Sequence, residues 1–158
     1  MTDNDRSLRE QLAILLDGGQ AHVEIGATLD KLSFKDLSKK PEGTPRTLWE
    51  LFEHIRIAQW DILEFSRNAD HQSPEWPKGY WPENEAPTDT ATWKASVASF
   101  QRDLDAMKEL VLDPDVDLHE NIPHGDGQTI LREALLISDH NAYHLGQMVL
   151  LMKLSGSW

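Results

Sequence analysis

From Gln128 to Leu154 the chain contains no proline, and its apolar side chains run nearly all the way round a helical projection. Such a segment has no broad polar face to give to water, so it predicts a long, central helix that other elements must surround. No stretch elsewhere sustains the alternation of β-branched residues between turn signals that marks a strand, and the chain therefore reads as all-α. The surrounding helices show themselves by spacing. Ser7 to Leu16 carries Leu8, Leu12 and Leu15 on one stripe and is broken by Asp17-Gly18-Gly19. Gln20 to Leu32 reads as a short second helix, and the proline- and glycine-bearing stretch from Ser33 to Pro45 as loop. A long helix opens on the Thr44-Pro45 signal and runs to Arg67. Another starts near Thr90 and places Trp93, Val97, Phe100, Leu104, Met107 and Val111 along a bundle seam that ends at Pro114. The expected architecture is one domain over residues 1–158, a four-helix bundle with an extra short helix.

Two features depart from a plain bundle. The helix ending at Arg67 has a second apolar face, with Trp49, Ile57 and Trp60 lying away from the stripe of Leu48, Leu51, Ile55, Ala58, Ile62 and Phe65. That face predicts a homodimer, with the last helix contributing if a side of it is left uncovered, unless the flap or the short second helix covers it within the chain. The connection from Asn68 to Asp89 is too long for a helix-helix turn and too aromatic for a linker. It is expected to be an ordered, Pro/Trp-rich flap in which Trp76, Tyr80 and Trp81 either form an apolar wall over a site or serve as plain packing.

Charge and cysteine content narrow the chemistry. Acidic residues outnumber basic ones 27 to 15, a net charge of −12 that repels phosphate backbones and anionic lipid, so nucleic acid and membrane surfaces are not expected partners. With no cysteine there is neither a disulfide framework nor a thiolate ligand or nucleophile. The polar, acidic start and the lack of an apolar run long enough to span a bilayer make a cytoplasmic protein the expectation.

Any metal must then be held by nitrogen and oxygen, and seven histidines are the supply. In DHNAYHLGQ, His140 and His144 stand one helical turn apart and project two imidazoles in the same direction. His54, between Leu51, Ile55 and Ala58, faces the bundle axis and is the expected third ligand. Three neutral nitrogens with a position left open are the catalytic arrangement, not the structural one. Asn141 stands where a zinc protease needs glutamate, and no Glu-x-x-His pair is present, so neither a protease site nor a di-iron bundle fits. Glu133, two turns before His140, is a candidate base or orienting group, or else a buried carboxylate paired to Arg56 or Arg132. Asp139 and Asn141 flank His140; Tyr143 and Gln147 are placed to hold a water or substrate oxygen, with Tyr143 the second catalytic candidate. His71 and His119 read as solvated, while His22 and His124 are weaker candidates for lining the site.

GGQAH near the start, LWELFEHIRIAQWDILEF around His54, EWPKGYWP in the flap and GDGQTILREALLISDHNAYHLGQMVLLMKLSGSW at the end together resemble the DinB-like superfamily over nearly the whole chain. That resemblance implies a four-helix bundle with three histidines on a divalent metal, which by position are His54, His140 and His144. It also implies frequent homodimers and, in some branches, transfer or isomerisation chemistry with a low-molecular-weight thiol such as bacillithiol, mycothiol or glutathione. The implied activity is thiol transfer to a small-molecule electrophile, with metal-dependent hydrolysis or a non-catalytic metal- or ligand-binding bundle as alternatives. Nickel, zinc, iron and manganese all suit the ligands. One departure is Lys153, where many relatives carry arginine; it keeps the charge but loses bidentate anion recognition.

Overall fold

A computed structural model describes residues 2–158. It contains five α-helices: α1 (Asp3–Asp17), α2 (Ile25–Leu29), α3 (Leu48–Arg67), α4 (Thr90–Leu112) and α5 (Ile130–Leu154). Among the described residues there is no strand, only an isolated bridge between Asn121 and Thr129. The four long helices pack with α1 and α3 at opposite corners, each against both α4 and α5.

Capping chemistry sets the helix ends. The side chain of Thr2 accepts from the Asp5 amide, so α1 begins earlier than its apolar stripe suggested. The start of α3 is corrected from Thr44-Pro45 to Leu48. Thr47 and Glu50 form a reciprocal capping box, with Thr47 Oγ1 accepting from the Glu50 amide at 3.1 Å and Glu50 Oε2 accepting from the Thr47 amide at 2.8 Å. Thr44 instead closes a turn onto the Pro41 carbonyl. The second helix is shorter than the expected Gln20 to Leu32, because Gly18 and Gly19 take positive φ and Glu24 caps without a side-chain bond. The Ser33–Pro45 stretch holds a 3₁₀ turn at Phe34–Asp36, where Lys39, then Ser33, hold the Asp36 carboxyl well below the usual range.

The core is densest around α3, where Phe52 lies between Trp93 and Phe100 at ring separations of 4.9 and 5.7 Å. Ile55, Leu63, Met107, Ile137, Met148 and Met152 are fully buried around it. The expected central helix, α5, touches all three other long helices but leaves Leu135, Tyr143, Leu150 and Leu154 exposed. The more thoroughly buried helix is α3, since the 68–89 connection covers the side that α4 and α5 leave open. Neighbours within the chain correct the expected dimer face: Trp49 is 5% exposed and packs edge-on against Trp93 of α4, while Trp60 packs against His71 of the connection and, like Ile57, is partly buried. Amphipathic spacing on α3 recorded burial by neighbours within the chain. Among the described residues no helix is long and apolar enough to cross a membrane.

Candidate metal centre

The N-terminal half of α3 and the middle of α5 bring His54, His140 and His144 together. One nitrogen from each lies within 4.8 Å of the others, and His54 Nε2 and His140 Nε2 are 3.2 Å apart. Nitrogens bound at about 2.0–2.1 Å to one tetrahedral ion stand roughly 3.3 Å from each other, so this spacing is close to that of a ligand set.

The outer nitrogens decide the inner ones. His54 Nδ1 lies 2.8 Å from the Tyr80 carbonyl, and a carbonyl only accepts, so Nδ1 carries the proton and Nε2 keeps its lone pair. His144 Nδ1 donates to Gln147 Oε1 at 2.8 Å, which frees its Nε2 in the same way. His140 Nδ1 is a buried atom with no hydrogen-bond partner. Burial pushes all three imidazoles down, opposed at His54 by the bond to Tyr80 and at His144 by the bond to Gln147. His140 falls furthest, to about 4, with repulsion from His144 and His54 adding to burial. All three are therefore neutral at pH 7, the state a metal requires. Donor type, spacing and the tautomers fixed at His54 and His144 together fit a divalent ion.

Aromatic rings frame the cluster. Trp81 stacks flat on His54, with centroids 4.0 Å apart and planes within 3°. On its other side the Arg46 guanidinium lies 4.2 Å from the Trp81 ring centroid while donating to Glu50. His140 and His144 meet His54 edge-on. A cavity of about 400 Å³ opens beside them, lined by Arg46, Leu51, Trp81, Tyr143, His144 and Gln147 among others, with no acidic side chain in its wall. Tyr143 is 65% exposed and contacts His144 edge-on. Of the expected aromatic wall, Trp81 is at the cluster, Tyr80 meets it through its carbonyl, and Trp76 is largely exposed with its edge to Tyr80.

Other expected residues lie elsewhere. Glu133 is buried and hydrogen-bonded to Arg132; burial raises its pKa, and the nearby Asp61 charge adds a smaller upward push. Asn141 donates to Gln59, and Asp139 lines a separate cavity beside α1. His22 is exposed, bonds to the Val23 carbonyl and lines that same separate cavity; His124 is also exposed and donates to the Phe65 carbonyl. Neither joins the cluster. His119 is exposed, as its polar loop suggested. His71 corrects the solvated reading: its side chain is only 7% exposed, and Nε2 donates to Asp61 Oδ1 at 2.7 Å. Sequence reasoning passed over Asp61 altogether. A carboxylate two turns after His54, inside an apolar run, was the available signal.

Comparison with known proteins agrees with this geometry. No curated protein and no solved structure matches the chain. A family-level match extends over residues 20–148 of 158, a span containing all three clustered histidines, and on that match the chain belongs to the DinB superfamily.

Proposed function

We propose that this protein is a metal-dependent enzyme, a single four-helix-bundle domain that binds one divalent ion through His54, His140 and His144 and directs a small thiol or water against a small-molecule electrophile. The observation that carries this reading is the convergence of three neutral imidazoles, one of which, His144, lines a cavity of ligand size, for which roughly 300–1,000 Å³ is usual. When bound, the ion supplies Lewis acidity and depresses the pKa of a thiol or water, forming a nucleophile in a chain that has no cysteine.

The remaining work falls to side chains. Leu51, Trp81, Leu150 and Leu151 give the cavity an apolar wall that shields the reacting atoms from water. Gln147 uses its oxygen on His144, which leaves its amide nitrogen to donate to a substrate oxygen. Tyr143 lines the cavity while largely exposed and is the residue assigned to substrate contact and proton delivery. Glu133, two turns before His140 on α5 and hydrogen-bonded to Arg132, keeps its assignment as candidate base or orienting group. Tyr143→Phe is accordingly expected to lower kcat by about 100-fold, the lower end for loss of a general acid or base, with metal content unchanged. A rate within threefold of the parent protein removes Tyr143 from the chemistry.

Metal-loaded protein screened against electrophiles with bacillithiol, mycothiol and glutathione in turn tests the reaction class. Thiol-dependent turnover lost on chelation supports transfer, and turnover in buffer alone supports hydrolysis. No turnover with any acceptor leaves a metal-binding bundle.

The reading includes a cytoplasmic homodimer. With Trp49 buried, the contact surface is assigned to the outward stripe of α5, where exposed Leu135, Tyr143, Leu150 and Leu154 flank Gly146. Leu150 and Tyr143 also line the site cavity, so the partner copy would sit at its mouth. Light scattering is expected to give twice the 18.0 kDa chain mass. A monomer at concentrations on the order of tens of micromolar overturns this assignment.

A further inference from the structure

His54 and Asp61 are seven residues apart on α3, nearly two full turns, so both project from the same side of the helix about 10 Å apart along its axis. One residue of the flap reaches both. The backbone carbonyl of Tyr80 accepts the His54 Nδ1 proton at 2.8 Å, and the Tyr80 hydroxyl donates to Asp61 Oδ2 at 2.5 Å. Tyr80 therefore lies lengthwise along α3, tied at each end. The second oxygen of Asp61 accepts from His71 at 2.7 Å, so the buried carboxylate is satisfied entirely by flap residues.

The local backbone is built for this placement. A 3₁₀ turn over Lys78–Tyr80 aims the Tyr80 carbonyl at α3, with the Gly79 amide donating to Glu75 and the Trp81 amide to Lys78. A Cβ at Gly79 would stand 2.7 Å from Pro74 Cβ, closer than real side chains approach, so the turn needs glycine there. Trp81, the next residue, is thereby held flat on the His54 ring.

We propose that Asp61 and Tyr80 are positioning residues that fix the tautomer and orientation of His54, Asp61 holding the Tyr80 hydroxyl so that the Tyr80 carbonyl stays on His54 Nδ1. The inference rests on the metal-site reading above for its effect on affinity, while the tautomer itself is a property of the metal-free chain. A carboxylate that closed the core and did nothing more would have no need to share its partner with a histidine of the cluster. Partners in this outer position typically change metal affinity by about 10 to 100-fold.

The test uses the full chain, Zn²⁺ as probe and two readouts. Long-range ¹H–¹⁵N NMR of the metal-free protein reports the His54 tautomer, and competition with a chromophoric chelator reports zinc affinity. The parent protein is expected to show His54 as a single Nδ1–H tautomer. Tyr80→Phe is expected to give a mixture of tautomers and to weaken zinc binding by about 10 to 100-fold, with helical circular dichroism unchanged. Asp61→Asn, which keeps one acceptor oxygen, is expected to fall between the two, and it carries the test if Tyr80→Phe does not fold. A variant that melts earlier yet keeps zinc affinity within threefold and a single tautomer overturns the proposal, because the pair is then structural only. A parent chain with the predicted tautomer but no zinc uptake sinks the metal reading and leaves the brace standing.

Discussion

Replacing both His140 and His144 with alanine is expected to take the purified chain from about one divalent ion to none, measured by elemental analysis after dialysis against metal-containing buffer. The two imidazoles supply two of the three nitrogens in the cluster, and among the described residues no other group of three potential ligands converges. His54 alone, already bonded to Tyr80, gives a single lone pair and no chelate. Any metal-dependent turnover is expected to vanish with the ion. The helices should persist, because His140 and His144 are not core residues and the fully buried apolar side chains lie elsewhere. Unchanged stoichiometry in a folded double variant would show that the ion sits elsewhere.

The second large effect is structural and comes from the opposite side of the fold. Arg9 in α1 is 4% exposed, and its guanidinium donates to the carbonyls of Val111, Asp113 and Val116 at 2.7–2.8 Å, while Nε pairs with Asp5. It thus caps the C-terminal end of α4, where unpaired carbonyls gather and the helix dipole favours a cation. Arg9→Met keeps much of the aliphatic volume and strands those carbonyls. Hydrogen bonds to a charged group contribute about 1.5–3 kcal/mol each, and burial of the cation offsets part of the sum, so a net loss of about 3–5 kcal/mol is expected. For a chain of this length that lowers the melting temperature by roughly 10 °C in calorimetry. A shift under 3 °C would mean water replaces the guanidinium at the α4 end.

The contrast between these two sites shows what a linear sequence can carry. His140 and His144 were readable because helical spacing alone makes them neighbours, and His54 because the residues around it mark an inward face. The capping role of Arg9 was not readable: beyond Asp5, its partners are main-chain carbonyls more than a hundred positions away, and carbonyls leave no trace in residue identity. Asp61, His71 and the two contacts of Tyr80 were missed for a related reason, since the path of the 68–89 connection sets them and no periodicity describes it. Trp49 was misassigned because an apolar face looks the same whether Trp93 or a second subunit covers it. The start of α3 was a different kind of miss. Thr47-Leu48-Trp49-Glu50 carries a complete capping box, and the more conspicuous Thr44-Pro45 drew the boundary away from it.

The double attachment of Tyr80 also bears on how fast the site exchanges its contents. Trp81 rests on one face of His54 and the neighbouring carbonyl holds its Nδ1, so lifting residues 80 and 81 away from α3 would unclamp a ligand histidine in the same movement. Under the proposed function a small molecule would reach the cavity past Thr44, Pro45 and Arg46, lining residues outside the α5 stripe assigned to the partner copy, and the flap would stay seated. On that reading substrate traffic and ion release would use different motions, so that one ion would serve many turnovers.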